Sequence, residues 1–222
     1  MENITRKQVS AGQDVYGKLT LAAYDALVLG ATCRWLWQCK ASQMLEQYNT
    51  LVSDNHLDVG VGSGYFLDHC RFPSDAPRLA LMDLNEDSLN FTARRVSRYS
   101  PELYRRNVLE DMSVGGRKFD SVGMNFLLHC LPGSFGYTGR VFDHCREIMN
   151  DGAVLFGSTV LGAGNRPNLL ARALMGFYNR KGIFSNKHDT ETALREELSK
   201  RFSEVQLQVR GEVALFSARK DG

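Results

Sequence analysis

Residues 58–64 read Asp-Val-Gly-Val-Gly-Ser-Gly, an acid followed by three glycines at every second position. Glycines so spaced let a chain turn sharply after a strand and let a ligand approach the main chain with no Cβ in the way. A dinucleotide fingerprint would need its third glycine at 65, where the residue is Tyr65. The D-x-G-x-G-x-G spacing instead suits a ligand with no pyrophosphate, and Asp58 stands where a cationic amino-acid group would sit. Hydride chemistry is disfavoured. Asp83 follows 19 residues after Gly64 and closes an apolar run; a carboxylate there can accept two hydrogen bonds from ribose hydroxyls. Asn107-Val108 offers an amide for a base edge and an apolar cover for its face. Asn125 ends another apolar run, and His129 lies four residues beyond it.

These residues need strand ends to carry them, and the pattern supplies strands and helices in alternation. Residues 17–50 read as helical, with Gly30 as a break. Strands are expected at His56–Val59, Arg78–Asp83, Tyr104–Leu109, Phe119–Leu128 and Ala153–Leu161. Helices are expected at Tyr65–Cys70, from Asn85 to Ser97 behind capping residues, at Thr138–Met149, at Asn168–Arg180 and at Thr190–Arg201. Asp151-Gly152 reads as the turn into strand five. Val205–Val209 and Val213–Ser217 alternate around Gly211 as a closing hairpin. Such alternation predicts an α/β fold: a three-layer, Rossmann-like, seven-stranded sheet, mainly parallel, with an antiparallel C-terminal hairpin strand. Ligands of such sheets bind beyond the carboxyl ends of the strands at the switch point, and the glycine turn lies there. Residues 1–50 are expected to form a helical segment covering the site, and 51–222 the ligand-binding domain with a helical substrate insert at about 162–200.

Composition narrows the function. The chain has 222 residues, 43% hydrophobic and 23% charged, with a net charge of +2. That balance argues for a soluble protein and against a nucleic-acid partner. No signal peptide or membrane span is expected, because Leu19–Cys33 is interrupted by Asp25 and is too short to cross a bilayer. Five cysteines with no framework spacing point to a reducing, cytoplasmic setting. His-Cys occurs at 69–70, 129–130 and 144–145 without C-x-x-C or H-x-x-x-H spacing, so no metal site is expected.

The ordered set Asp58–Gly64, Asp83, Asn107-Val108 and Asn125 resembles the class I S-adenosylmethionine-dependent methyltransferases. The resemblance runs from about Asn55 to Leu161. Phe119–His129 is similar to the family's post-strand-four motif, and Glu147–Gly157 to the turn into strand five. The resemblance implies S-adenosyl-L-methionine as cofactor. It further implies Gly60, Gly62 and Asn125 around the methionine moiety, Asp83 on the ribose, and Leu84, Asn107 and Val108 around the adenine, with Asp58 and Gly64 also among the cofactor-binding residues. Asn107 stands where many relatives carry Asp. The [Asp/Asn]-Pro-Pro-[Tyr/Phe] motif common among amide and nucleobase N-methyltransferases is absent: the residues are Asn125-Phe-Leu-Leu-His-Cys-Leu-Pro. This looks more like the small-molecule and quinone-type branch.

Transfer to a hydroxyl needs alignment of acceptor, methyl and sulfur, and loss of the acceptor's proton. His129 is the first candidate base and His188 the second; a packing role for His129 competes with this. Substrate walls are expected from Tyr16, Tyr24 and Trp37 at one end of the chain and from Met175, Phe177 and Tyr178 in the insert, against simple core packing of the same residues. A mixed Met and aromatic lining suits an apolar or aromatic small molecule, O-methylated. Two alternatives keep the fold: a cyclase- or pericyclase-like enzyme that retains the methyl, and a non-catalytic binding subunit. A monomer or homodimer is expected.

Overall fold

The computed structural model describes residues 32–165 and 167–222. Tyr16 and Tyr24 lie outside the described residues, as does the expected break at Gly30. Helix α1 (Ala41–Leu51) leads into strand β1 (Asn55–Val59), and the glycine turn carries the chain into α2 (Tyr65–His69). Strand β2 (Arg78–Asp83) and helix α3 (Glu86–Arg95) follow, then β3 (Glu102–Arg105) and β4 (Phe119–Asn125). Helices α4 (Phe135–Thr138) and α5 (Arg140–Glu147) precede β5 (Met149–Val160). Helices α6 (Leu169–Lys181) and α7 (Glu191–Ser199) form the insert, and β6 (Ser203–Arg210) and β7 (Val213–Arg219) close the fold.

The seven strands form one sheet in the order β3-β2-β1-β4-β5-β7-β6. Neighbours from β3 through β5 are parallel, whereas β7 runs antiparallel to both β5 and β6. The order reverses between β1 and β4, with Asp58 level with Gly123 across that junction. A crevice opens at such a reversal, because the crossovers leave it on opposite faces. Both faces are covered. Val141, Phe142 and Cys145 of α5 and Leu194 and Leu198 of α7 pack with Val122, Leu155 and Phe216. Tyr48 of α1, Leu67 of α2 and Leu89 of α3 pack with Leu79, Leu81 and Phe156.

Several boundaries differ from the sequence reading, each for a local reason. Strand β3 is Glu102–Arg105 rather than Tyr104–Leu109, because the Asn107 side-chain oxygen accepts the Leu109 amide at 3.1 Å and folds the chain into a turn. Strand β4 stops at Asn125 instead of Leu128: Phe126 takes φ 56°, and Leu128–Cys130 form a single 3₁₀ turn. The helix expected at Thr138–Met149 is α5, which ends at Glu147 because Met149 already begins β5, and the short α4 stands ahead of it. Asp151-Gly152 is a bulge inside β5, with Gly152 at φ 79°, instead of a turn before it. The helix expected to run to residue 50 is interrupted just before α1, where Gln38 takes φ 54°. The cap at Asn85 forms as expected, accepting the amides of Asp87 and Ser88.

Candidate functional site

The glycine turn is shaped by three left-handed residues in alternation: Gly60 (φ 73°), Gly62 (φ 51°) and Gly64 (φ 71°). Their spaces differ. A Cβ on Gly60 would meet Leu127 at 2.8 Å and one on Gly64 would meet Thr92 at 2.6 Å, whereas one on Gly62 would meet nothing within 4 Å. Gly60 and Gly64 thus let protein pack on the turn, and Gly62 faces open space. That space is a cavity along the carboxyl ends of β1, β2 and β4 and the turn after β3. Asp58, Gly60, Gly62 and Gly64 line it together with Asp83, Leu84, Asn107, Val108 and Asn125. All nine residues singled out for the cofactor meet around one opening.

Their electrostatics differ sharply. Asp83 is half-buried at the end of β2. Burial pushes its carboxyl up to about 6, while the amides of Asn85, Gly62 and Leu84 pull it back down. Asp58 is more enclosed, at 7% exposure, and accepts a 2.6 Å hydrogen bond from the Tyr48 hydroxyl. The Asn125 side-chain oxygen accepts from Ser158 Oγ at 2.8 Å, but its amide nitrogen is buried with no partner among the described residues. An unpaired buried donor costs free energy, so Nδ2 is poised for an incoming acceptor. Asn107 is engaged on both atoms, since its amide nitrogen also donates to Glu110 at 3.0 Å; a second lone pair remains on its oxygen.

The cavity's other end is apolar. Tyr65, Phe66, Phe126, Leu127, Cys130, Leu131 and Pro132 complete the lining there, and the sequence reading named none of them for the site. Tyr65 and Phe66 could have been found, since they follow Gly64 directly. Cys130 is held as a thiol, because burial pushes it up to about 12.

His129 sits behind this wall. Its Nδ1 accepts the Val160 amide at 3.2 Å and lies 3.3 Å from Thr159 Oγ1, and its ring packs on Phe184 and Phe126 at 4.4 and 5.7 Å between centroids. It is 3% exposed, and burial lowers its pKa to about 3. It lies outside the cavity lining. His188 is exposed in the turn before α7. Trp37 and Met175 are buried in a satellite cluster with Phe184, Tyr178 packs on its edge, and Phe177 is exposed; none of the four reaches the cavity. Phe126, Cys130, Tyr65 and Phe66 belong to both cavity and cluster. The satellite cluster therefore backs the apolar wall.

A partly polar cleft at the switch point of a mainly parallel seven-stranded sheet defines a Rossmann-like α/β fold. Residues 57–155 match the sequence family described as methyltransferase domain. Demethylluteothin O-methyltransferase of Streptomyces thioluteus is 38% identical over 98% of this chain and 94% of its own length. The physcion biosynthesis cluster O-methyltransferase of Aspergillus chevalieri is 36% identical over 94% and 95% of the two chains. Among solved structures, a complex of DhpI with S-adenosylhomocysteine superposes with a TM-score of 0.70 at 14% identity, over 98% of this chain and 99% of that one. The chain belongs to the class I S-adenosylmethionine-dependent methyltransferases, on their small-molecule side. No helix among the described residues is long and apolar enough to cross a membrane.

Proposed function

We propose that the chain binds S-adenosylmethionine along the carboxyl ends of β1 to β4 and methylates a hydroxyl oxygen of an apolar or aromatic small molecule. The observation that carries this reading is the convergence of all nine motif residues on one cavity. The cavity fits the cofactor in chemistry too: open space over Gly62, a half-buried carboxylate at Asp83 and an unpaired amide nitrogen at Asn125. When bound, the cofactor supplies a methyl group on a positively charged sulfur with its own good leaving group.

The protein's part is binding, orientation and exclusion of water. Asp83 accepts from ribose hydroxyls, Leu84 and Val108 cover the base, and the Asn107 oxygen receives its amino group. Asp58 faces the ammonium and Asn125 Nδ2 donates to the amino-acid end. The apolar wall of Tyr65, Phe126, Cys130 and Leu131 receives the acceptor and holds it in line, which can supply several kcal/mol of the barrier reduction. His129 serves as a strut: its one acceptor nitrogen is taken by Val160 and its proton affinity is far too low for a base near neutrality. A phenolic or enolic hydroxyl, which ionises readily by itself, matches a described lining with no imidazole.

The two relatives' names, both O-methyltransferases of secondary metabolites, support the choice of oxygen. The test is incubation with methyl-labelled S-adenosylmethionine and a panel of apolar phenols, enols, amines and thiols. Label in a methyl ether, with turnover rising with pH, is the expected result. Label confined to amines or thiols would overturn the oxygen assignment.

A further inference from the structure

We propose that a buried hydrogen-bond chain through Ser121, His56 and Tyr48 is a positioning device for Asp58, holding that carboxylate oriented toward the ammonium of the methyl donor. The inference rests on the cofactor reading above and adds three residues that do not themselves line the cavity.

The single proton of the Tyr48 hydroxyl fixes the direction of the bonds nearest Asp58. The Tyr48 hydroxyl has one proton and donates it to Asp58 Oδ2 at 2.6 Å. Its oxygen lies 2.7 Å from His56 Nε2, so it must accept there, and Nε2 carries the ring's proton. His56 Nδ1 pairs with Ser121 Oγ at 2.8 Å. Ser121 Oγ in turn accepts the Ser53 amide at 2.9 Å and lies 2.8 Å from Ser53 Oγ. The two donors nearest the cavity, His56 Nε2 and the Tyr48 hydroxyl, point toward a carboxylate that lines it. Hydrogen-bonded chains of this kind polarise one another in a low-dielectric interior.

The surroundings are built around it. Gly123, level with Asp58 on the neighbouring strand, leaves a gap that the chain fills. A Cβ there would lie 3.1 Å from His56 Cε1 and 3.3 Å from Asp58 Oδ2. Phe156 packs on the Tyr48 and His56 rings at 5.0 and 5.8 Å between centroids. The titratable groups facing Asp58 are Tyr48 and His56, the Cys70 thiol behind it and Asp83 across the cavity. Burial first, and then the negative charge of Asp58, hold Tyr48 in its phenol form. Among the described ion pairs Asp58 has only His56, 3.9 Å away, and no Lys or Arg. A nearly enclosed carboxylate with a phenol donor and no Lys or Arg partner among those pairs is matched to a cation that arrives with the ligand.

The experiment is calorimetric titration of wild type and Tyr48→Phe with two probes. S-adenosylhomocysteine carries the amino-acid end; 5′-methylthioadenosine keeps the nucleoside and sulfur but lacks it. Tyr48→Phe should weaken S-adenosylhomocysteine by roughly 10- to 100-fold, the size of a hydrogen bond to a charged group, and leave methylthioadenosine unchanged. Ser121→Ala, at the far end, should show the same selectivity with a smaller loss, and covers the case in which Tyr48→Phe does not fold. Equal weakening of both probes, or of neither, would overturn the positioning role while leaving the cofactor reading intact. If wild type binds neither probe, the cofactor reading falls and this inference with it.

Discussion

The two ends of the cavity are built on opposite principles. At the polar end, Asp58, Asp83 and Asn125 are held by hydrogen bonds from fixed partners, and the glycine turn between them has one open position, Gly62. At the apolar end, Tyr65, Phe126 and Cys130 are held by packing on Trp37, Met175 and Phe184, which come from far along the chain. Hydrogen-bonded geometry recognises one ligand; packed aromatic walls accept many of similar polarity. The difference teaches where selectivity would reside on the proposed reading: the polar end takes the cofactor, and the apolar end, held by packing alone, can be repacked without disturbing it.

The contrast can be broken first at the glycines. Gly62→Val should abolish S-adenosylhomocysteine binding in a titration while circular dichroism stays near native, because the side chain enters open space and the φ of 51° adds only local strain. Gly64→Ala should do the reverse, lowering the melting temperature through its contact with Thr92. Next in size is His129→Ala. Emptying the ring's site and orphaning the Val160 amide should cost about 2–4 kcal/mol in denaturant unfolding, with cofactor affinity unchanged. With His129 held near 3, below an unfolded histidine, its contribution to stability is present above about pH 6.5 and is lost as the pH falls toward 3. A kcat that collapses while stability holds would restore His129 as a base.

Asp83→Ala should weaken S-adenosylhomocysteine by about 1.5–3 kcal/mol. The wild-type affinity should rise from pH 5 to 7 as Asp83 ionises around 6. The stability of the free protein moves oppositely. Because the folded pKa is raised, Asp83 favours the fold most in acid and that contribution is lost as pH rises through 6. A flat affinity profile across this range would remove Asp83 from the ribose site. The smallest effect is expected for Phe177→Ala: within about 0.5 kcal/mol on unfolding, as for other exposed positions, and none on cofactor binding.

The same contrast explains what could be read in the sequence. Asp58–Gly64, Asp83 and Asn125 were legible as cavity residues because each stands at the end of an apolar stretch, whereas Asn107-Val108, behind Arg105-Arg106, had no such run to mark it. The Ser121–His56 contact spans 65 residues and belongs to no local pattern, so the buried chain behind Asp58 was invisible. His129 was placed correctly past β4, but ring direction depends on the turn at Phe126 and on Phe184, which no spacing reveals. The close approach of Glu197 on α7 to Gly139, just ahead of α5, is again a tertiary fact. Trp37 and Met175 were read as walls and are backing; Phe126 and Cys130, unnamed for the site, are the wall.

The turn at Phe126 is a store of strain. Its left-handed backbone is a conformation that glycine adopts freely and that costs a bulky residue on the order of 1–3 kcal/mol. The packing of the ring on His129 and the satellite cluster opposes that cost. Phe126→Gly would release the strain and empty the ring's place together, so it offers no route to heat resistance; the wall and the bent backbone hold each other in position.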